Sequence, residues 1–266
     1  MDRPPNQEAP CISVREVSHR FQDMQALSGI SFDIYPGELI SLLGPSGCGK
    51  STLLRLMADL LQPTSGEIRV SGGDPRTARL RREFGIVFQH PTLFDWRTVR
   101  GNIELPLELL GAGRAERDDT CDALLDLVGL HRFAGHYPWQ LSGGMQQRVA
   151  IARALSLDPP ILFMDEPFSA LDEFTKEKLH IELLSIQQAT GKTIVFVTHS
   201  IPEAAFLSDR IMVLSAHPGR MHSIFDVGLG ARRVPEHRDE PQFHELVSRV
   251  RACFREEGEP RHERAV

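Results

Sequence analysis

The chemistry in this 266-residue chain is concentrated first in Gly44-Pro45-Ser46-Gly47-Cys48-Gly49-Lys50-Ser51. Glycines at this spacing let successive backbone N–H groups turn inward around phosphate oxygens. Lys50 then suits the β- and γ-phosphates, and Ser51 offers a hydroxyl to Mg²⁺. With Thr52, these residues open a helical pattern through Leu53, Leu54 and Met57, so the positive end of a helix dipole is added to the cradle. A second cluster is the apolar run Ile161-Leu162-Phe163-Met164 leading into Asp165-Glu166. A buried strand of that kind delivers two carboxylates to its C-terminal end, where open parallel sheets bind ligands. Asp165 suits Mg²⁺, and Glu166 suits a base that polarises the water attacking a γ-phosphate. A third cluster, Leu141-Ser142-Gly143-Gly144-Met145-Gln146-Gln147, precedes a helical pattern over residues 148–155 and forms a second small-residue anion nest.

The elements that must hold these groups are legible around them. Residues 12–17, 30–34 and 39–43 read as strands separated by turn residues such as Pro36-Gly37, so the opening is β-rich. Short continuous apolar runs at 85–88, 161–164 and 193–197 read as buried parallel strands. Cys121, Leu124, Leu125 and Val128 fall on one helix face closed by Gly129, and residues of about 96–160 read as helical. After the polar stretch 232–240, Phe243, Leu246, Val247, Val250 and Phe254 mark a short amphipathic helix.

Composition sets the outer limits. Hydrophobic residues are 41% and charged residues 25%, which fits a globular chain rather than a disordered or membrane-embedded one. The formal charge of −6 argues against bulk nucleic-acid binding. Cys11, Cys48, Cys121 and Cys253 show no CxxC pairing, so neither a zinc site nor a disulfide framework is expected, and a reducing cytoplasm is the natural setting. The eleven histidines, including His217, His222, His237, His244 and His262, show no metal-ligand spacing. The opening MDRPPNQEAPC lacks the apolar core of a signal peptide, and no apolar run approaches the roughly 20 residues that span a bilayer. Membrane association is therefore expected through a partner.

Two phosphate-binding helix starts in one chain separate the P-loop families, and here the sequence resembles the ATP-binding cassette (ABC) family, whose signature motif is LSGGQ-like. The resemblance covers roughly residues 12–225. It implies an α/β fold: a RecA-like P-loop NTPase core with a mostly parallel sheet, an antiparallel β subdomain and an inserted α-helical subdomain. The implied division is a polar tail over 1–11, an ATPase domain over 12–225 with its helical part at about 96–160, and a C-terminal tail over 226–266. ATP would be held between the P-loop of one copy and Ser142, Gly143, Gly144 and Gln146 of another, arranged head to tail. Gln89 matches the Q-loop glutamine that watches Mg²⁺ and the lytic water while contacting the membrane partner. Asp172, in Ser169-Ala170-Leu171-Asp172, matches the D-loop that crosses the dimer seam, and His199 matches the switch histidine at the γ-phosphate. Phe21, 23 residues before Gly44, stands where the family stacks an aromatic ring on adenine. Ser200 after His199, where Asp is common, and Met145, where Gln is common, depart from the pattern without removing a phosphate or metal ligand.

Residues 88–99, 165–172 and His217-Pro218-Gly219-Arg220 look like importer subunits of the nitrate, sulfonate and taurine group. The resemblance implies integral membrane permease subunits, an extracytoplasmic solute-binding protein, and a peripheral place on the cytoplasmic face of the inner membrane. In the segment just beyond Gln89, the apolar Leu93, Phe94 and Trp96 suit a partner pocket. An exporter ATPase shares all the ATP chemistry and stands as an alternative. So does a soluble cassette acting on DNA or the ribosome, although the single P-loop and the 52 positions from Gln89 to Leu141 leave no second cassette or coiled-coil insertion.

Overall fold

Continuous and alternating apolar runs resolve into two sheets of different character. The computed structural model describes residues 9–230 and 233–256. The first eight residues of the expected N-terminal tail, Arg232, and the chain from 257 onward with His262 lie outside the described residues. In chain order the first half contains β1 (Ile12–Phe21), β2 (Met24–Ile34), β3 (Leu39–Leu43), α1 (Lys50–Met57), β4 (Ser65–Val70), α2 (Pro75–Leu80), β5 (Phe84–Val87), α3 (Val99–Leu109) and α4 (Arg114–Leu127). The second half contains α5 (Gly143–Leu155), β6 (Ile161–Asp165), α6 (Glu173–Thr190), β7 (Thr193–Thr198), α7 (Ile201–Leu207), β8 (Arg210–Leu214), β9 (Met221–Asp226) and α8 (Pro241–Glu256).

The larger sheet has the order β5-β6-β7-β3-β8-β9, parallel except for β9. Its central strands are apolar at every position but one or two because both faces are covered. Ile40, Leu42, Phe163, Val195 and Val197 point into one core, shared with α1 and the smaller sheet. Leu39, Leu43, Leu162, Met164, Ile194 and Phe196 point into the other, shared with α5, α7 and α8. The smaller sheet, β2-β1-β4, is antiparallel. Its central strand β1 runs past the expected end at Val17 to Phe21, because an irregularity at Arg15-Glu16, with Glu16 at φ +46°, shifts the register and returns Val17 and His19 to the buried face.

Helices α3, α4 and α5 fill the chain between β5 and β6, with 3-10 turns at His131–Phe133 and Pro138–Gln140. Cys121, Leu124, Leu125 and Val128 form the buried face of the α4 region, and Gly129 takes φ +65° just beyond it. The fold is of the expected class: a mostly parallel sheet, an antiparallel sheet and intervening helices. α8 buries Phe243, Leu246, Val247 and Val250, packing on α7 and β9. No helix among the described residues is long and apolar enough to cross a membrane.

Candidate nucleotide-binding and catalytic site

Parallel register brings the three clusters to one edge. Leu43 pairs with Thr198 and Asp165 with Val197, so the loop after β3, the carboxylates ending β6 and His199 after β7 leave the sheet at the same C-terminal side. β3 is flanked by β7 and β8, and connections diverge there, which opens a crevice.

The 44–51 loop is shaped by glycines at two points. Gly47 and Gly49 take φ +79° and +96°, and a Cβ on Gly44 would lie 2.6 Å from Cys48 Sγ and 2.8 Å from the Leu214 carbonyl oxygen. Pro45, Ser46 and Gly47 are exposed, while Gly49 caps α1 with no side chain to compete for its free N–H groups. Lys50, only 4% exposed, donates to the carbonyls of Gly44 at 2.8 Å and Pro45 at 2.9 Å. Its Nζ also lies 4.0 Å from Glu166 Oε1. A buried ammonium so placed can exchange loop carbonyls for phosphate oxygens without leaving its position. Ser51 Oγ donates to Asp165 Oδ1 at 2.6 Å, and Arg55 stands 3.9 Å from the other carboxylate oxygen. Hydroxyl and carboxylate oxygens in contact are the donor chemistry of a small hard cation, so these residues fit Mg²⁺. Thr52 follows, half-buried in the first turn of α1.

Glu166 stands in the left-handed region at φ +46°, a conformation that costs a non-glycine residue free energy. Its N–H bonds to the Val197 carbonyl at 3.1 Å, and its carbonyl accepts from the Ser169 N–H at 3.2 Å and hydroxyl at 3.0 Å, so the turn is fixed on both sides. The result aims the carboxylate at His199, whose Nδ1 lies 3.1 Å from Glu166 Oε2. Gln89, exposed just past β5, donates through Nε2 to the same Ser169 hydroxyl at 3.0 Å. Ser200 caps α7, its Oγ accepting from the Glu203 N–H at 3.4 Å; Asp would cap equally well, so this departure from the family pattern keeps the helix start.

The second nest is a helix start of the same kind. Ser142 caps α5, accepting from the Met145 N–H at 3.3 Å, and Ser142 and Gly143 are exposed. A Cβ on Gly143 would meet Leu171 at 3.1 Å and one on Gly144 would meet Thr175 at 2.7 Å, so the nest sits against the start of α6. Asp172 caps α6, and hydrogen bonds from the Thr175 hydroxyl and N–H hold its carboxyl below the usual range. Gln146 turns its amide back to the carbonyls of Pro138 at 3.0 Å and Leu141 at 3.4 Å, serving the loop before the nest. Met145 packs against the core.

Phe21 ends β1, 40% exposed, edge-on to His19 with ring centroids 4.5 Å apart. Sequence reasoning placed His217 in an importer-like segment but missed its place at the phosphate loop. Its ring carbon Cε1 lies 3.6 Å from where a Cβ on Gly47 would sit, so it borders the phosphate cradle. The signal is Gly219, which ties the segment to β2 through its N–H to the Ala26 carbonyl and the Ser28 N–H to its own carbonyl, both at 2.9 Å. Also missed was Asn102. It is fully buried, and it accepts from the Phe94 N–H at 2.8 Å while donating to the carbonyls of Phe94, Arg97 and Thr98 at 3.0–3.1 Å. The 93–96 loop is thereby ordered, with Leu93 packed on the chain's own core and Trp96 left 75% exposed. The expected apolar trio thus splits into an anchor, Leu93, a half-buried ring, Phe94, with its centroid 4.9 Å from that of Trp96, and one projecting ring, Trp96.

Residues 27–169 match a family model described as ABC transporter. The chain belongs to the ABC transporter family. A taurine import ATP-binding protein, TauB, from Roseobacter denitrificans is 42% identical over 252 residues, covering 90% of this chain and 93% of that protein. A nitrate import ATP-binding protein, NrtD, from Synechocystis sp. is 45% identical over 236 residues, covering 86% and 88%. Among solved structures, the dimeric post-hydrolysis state of the ATP-binding cassette MJ0796 bound to ADP and Pi superposes with a TM-score of 0.70 at 36% identity, covering 81% of this chain and 98% of that one. This ABC protein is an ATPase, and it works on ATP with Mg²⁺.

Proposed function

We propose that this ATPase energises a membrane permease for uptake of a small anion of the nitrate, sulfonate or taurine type. The observation that carries the proposal is the near-full-length likeness, above 40% identity, to two proteins named for import of such anions. A solute-binding protein outside the cell delivers the anion, and this chain lies peripherally on the cytoplasmic face of the inner membrane. The ATPase unit is assigned to residues 12–225, with its helical part at about 96–160.

In this reading Phe21 stacks on adenine, and the N–H groups of residues 44–52 with Lys50 grip the phosphates. Ser51, Asp165 and Gln89 would hold Mg²⁺, which would supply positive charge against the phosphate oxygens. Glu166 accepts a proton from the water whose oxygen attacks the γ-phosphorus as the bridging bond to the β-phosphate breaks. The 3.1 Å contact with His199 and the fixed turn support that role, because a base must be held before the water arrives. Ser142, Gly143, Gly144 and Asp172 act on the ATP of a second copy, and Gln146 holds the loop that presents the nest.

Two surface features support the permease. Trp96 projects beside the Q-loop, and a groove of about 700 Å³ runs between the end of α3, the start of α4 and the end of α5, with exposed Leu110 in its lining. Apolar side chains bordering a concave surface are what a protruding helix of a membrane protein needs. Affinity purification from native membranes is expected to recover a hydrophobic permease with the wild-type chain and far less of it with Trp96→Ala, while the purified variant hydrolyses ATP at the wild-type rate. Undiminished recovery with collapsed hydrolysis would make Trp96 a structural residue instead.

A further inference from the structure

The C-terminal segment reaches the catalytic edge through buried and half-buried polar groups that the ATP chemistry does not use. Arg238, in the 3-10 turn Pro235–Asp239, lies over the Phe206 ring with its guanidinium carbon 4.1 Å from the centroid. One of its nitrogens donates to Glu177 Oε1 and another contacts His180 Nδ1, both at 2.8 Å. An arginine can only donate, so Nδ1 accepts and the His180 proton sits on Nε2. That nitrogen donates to Glu203 Oε1 at 2.8 Å. The other oxygen of Glu203 accepts from the Thr198 hydroxyl, which in turn accepts from the Ser200 N–H at 3.0 Å. From Arg238 through His180, Glu203 and Thr198 to the Ser200 N–H, the direction of each of these bonds is fixed, while Arg238 Nε is buried without a partner. His180 is 3% exposed, so removing one of its partners leaves a buried polar group short of a hydrogen bond.

Thr198 and Ser200 bracket His199, whose ring meets Glu166. A cavity of about 90 Å³ is lined by Glu166 and His199 together with His180, Glu203 and Arg238, so the relay lies in the wall of the catalytic site. Outside this relay, the segment is held by Arg233, which donates to the Leu207 carbonyl and to Asp209.

We propose that Arg238 and His180 are positioning residues for hydrolysis: the C-terminal segment, through Glu203 and Thr198, fixes the loop that presents His199 to Glu166. The inference rests on the assignment of Glu166 and His199 above. It makes the tail a device that sets turnover, because anything that lifts residues 235–239 off α6 removes the first link.

The test uses the full chain, with wild type and Lys50→Ala first establishing that the measured hydrolysis is P-loop-dependent; failure there would refute the ATPase site itself. Arg238→Ala and His180→Leu are each expected to lower kcat about 10- to 100-fold, as a misplaced catalytic group does, with KM for ATP within about twofold, since the phosphate cradle is untouched. His180→Gln, whose amide can accept from Arg238 and donate to Glu203, is expected to recover most of the loss. The double variant Arg238→Ala/His180→Leu is expected to be no slower than the worse single variant. Unchanged kcat in folded Arg238→Ala would overturn the proposal. So would multiplicative losses in the double variant, or an equal fall in kcat for Arg249→Ala, which removes only the tail's contact with Phe225. Should His180→Leu fail to fold, the Arg238→Ala and His180→Gln kinetics decide alone.

Discussion

Lys50 and Glu166 sit 4.0 Å apart but perform separable tasks, and single substitutions tell them apart. Lys50→Ala removes the buried cation from the cradle, so ATP affinity and hydrolysis are both expected to be lost; steady Mg-ATP turnover in that variant would refute the phosphate assignment. Glu166→Gln keeps the shape and the strained turn while removing the base, so ATP binding should persist and kcat fall by about 10²-fold or more. Unchanged turnover would place the base elsewhere. Phe21 tests the far end of the nucleotide. It is 40% exposed beside Met24 at 60%, a flat apolar face left open at a strand end. Stacking a base on such a ring is worth about 1 to 3 kcal/mol by alanine substitution. Phe21→Ala should therefore bind ATP roughly 5- to 150-fold more weakly by equilibrium titration, and Phe21→Trp should bind normally. Equal affinity in folded Phe21→Ala would make the ring a core residue.

Asn102 shows what an element can require that periodicity does not reveal. Its amide closes the 94–98 loop onto the first turn of α3 while Thr98 caps that helix. Asn102→Ala leaves buried carbonyls and an N–H unsatisfied, at about 1–3 kcal/mol, which for a domain of this size lowers Tm by several degrees. Thermal unfolding should show that fall, and Trp96 fluorescence, read in a Trp139→Phe background, should report a loosened loop; an unaltered Tm would mean water replaces the amide. A polar residue inside a helical pattern looks solvated in sequence, so this role was hidden. The strands carrying the site were legible because burial on both faces leaves continuous apolar runs such as residues 161–164 and 193–197. The β1 extension to Phe21 was hidden by the Arg15-Glu16 irregularity, which breaks alternation for one residue. The motif residues stood out because phosphate chemistry dictates their types, whereas the left-handed turn at Glu166 and the approach of His217 to Gly47 depend on tertiary register that no local pattern encodes.

At the scale of the whole molecule, the chain presents two glycine-bearing helix starts, at α1 and α5, and one triphosphate has charge enough for both. If the second start serves a partner's nucleotide, ATP is the adhesive of a head-to-tail pair, and cleavage of its γ-phosphate loosens the contact by mass action. A permease bound to both copies would feel that opening. Gly143 is the position from which to test the pairing. A side chain there meets only the flexible end of Leu171 at 3.1 Å, whereas one at Gly144 is driven into Thr175 at 2.7 Å, so Gly143→Asp adds charge to the nest with little disturbance of packing. Light scattering is expected to find Glu166→Gln protein monomeric without nucleotide and dimeric with Mg-ATP. Adding Gly143→Asp should abolish the dimer, because a carboxylate then faces the γ-phosphate across the seam, while the P-loop of each separate chain still binds ATP. Normal ATP-dependent dimerisation of the double variant would show that residues 142–144 take no part in a shared site, and that the helix start at α5 is a cap and nothing more.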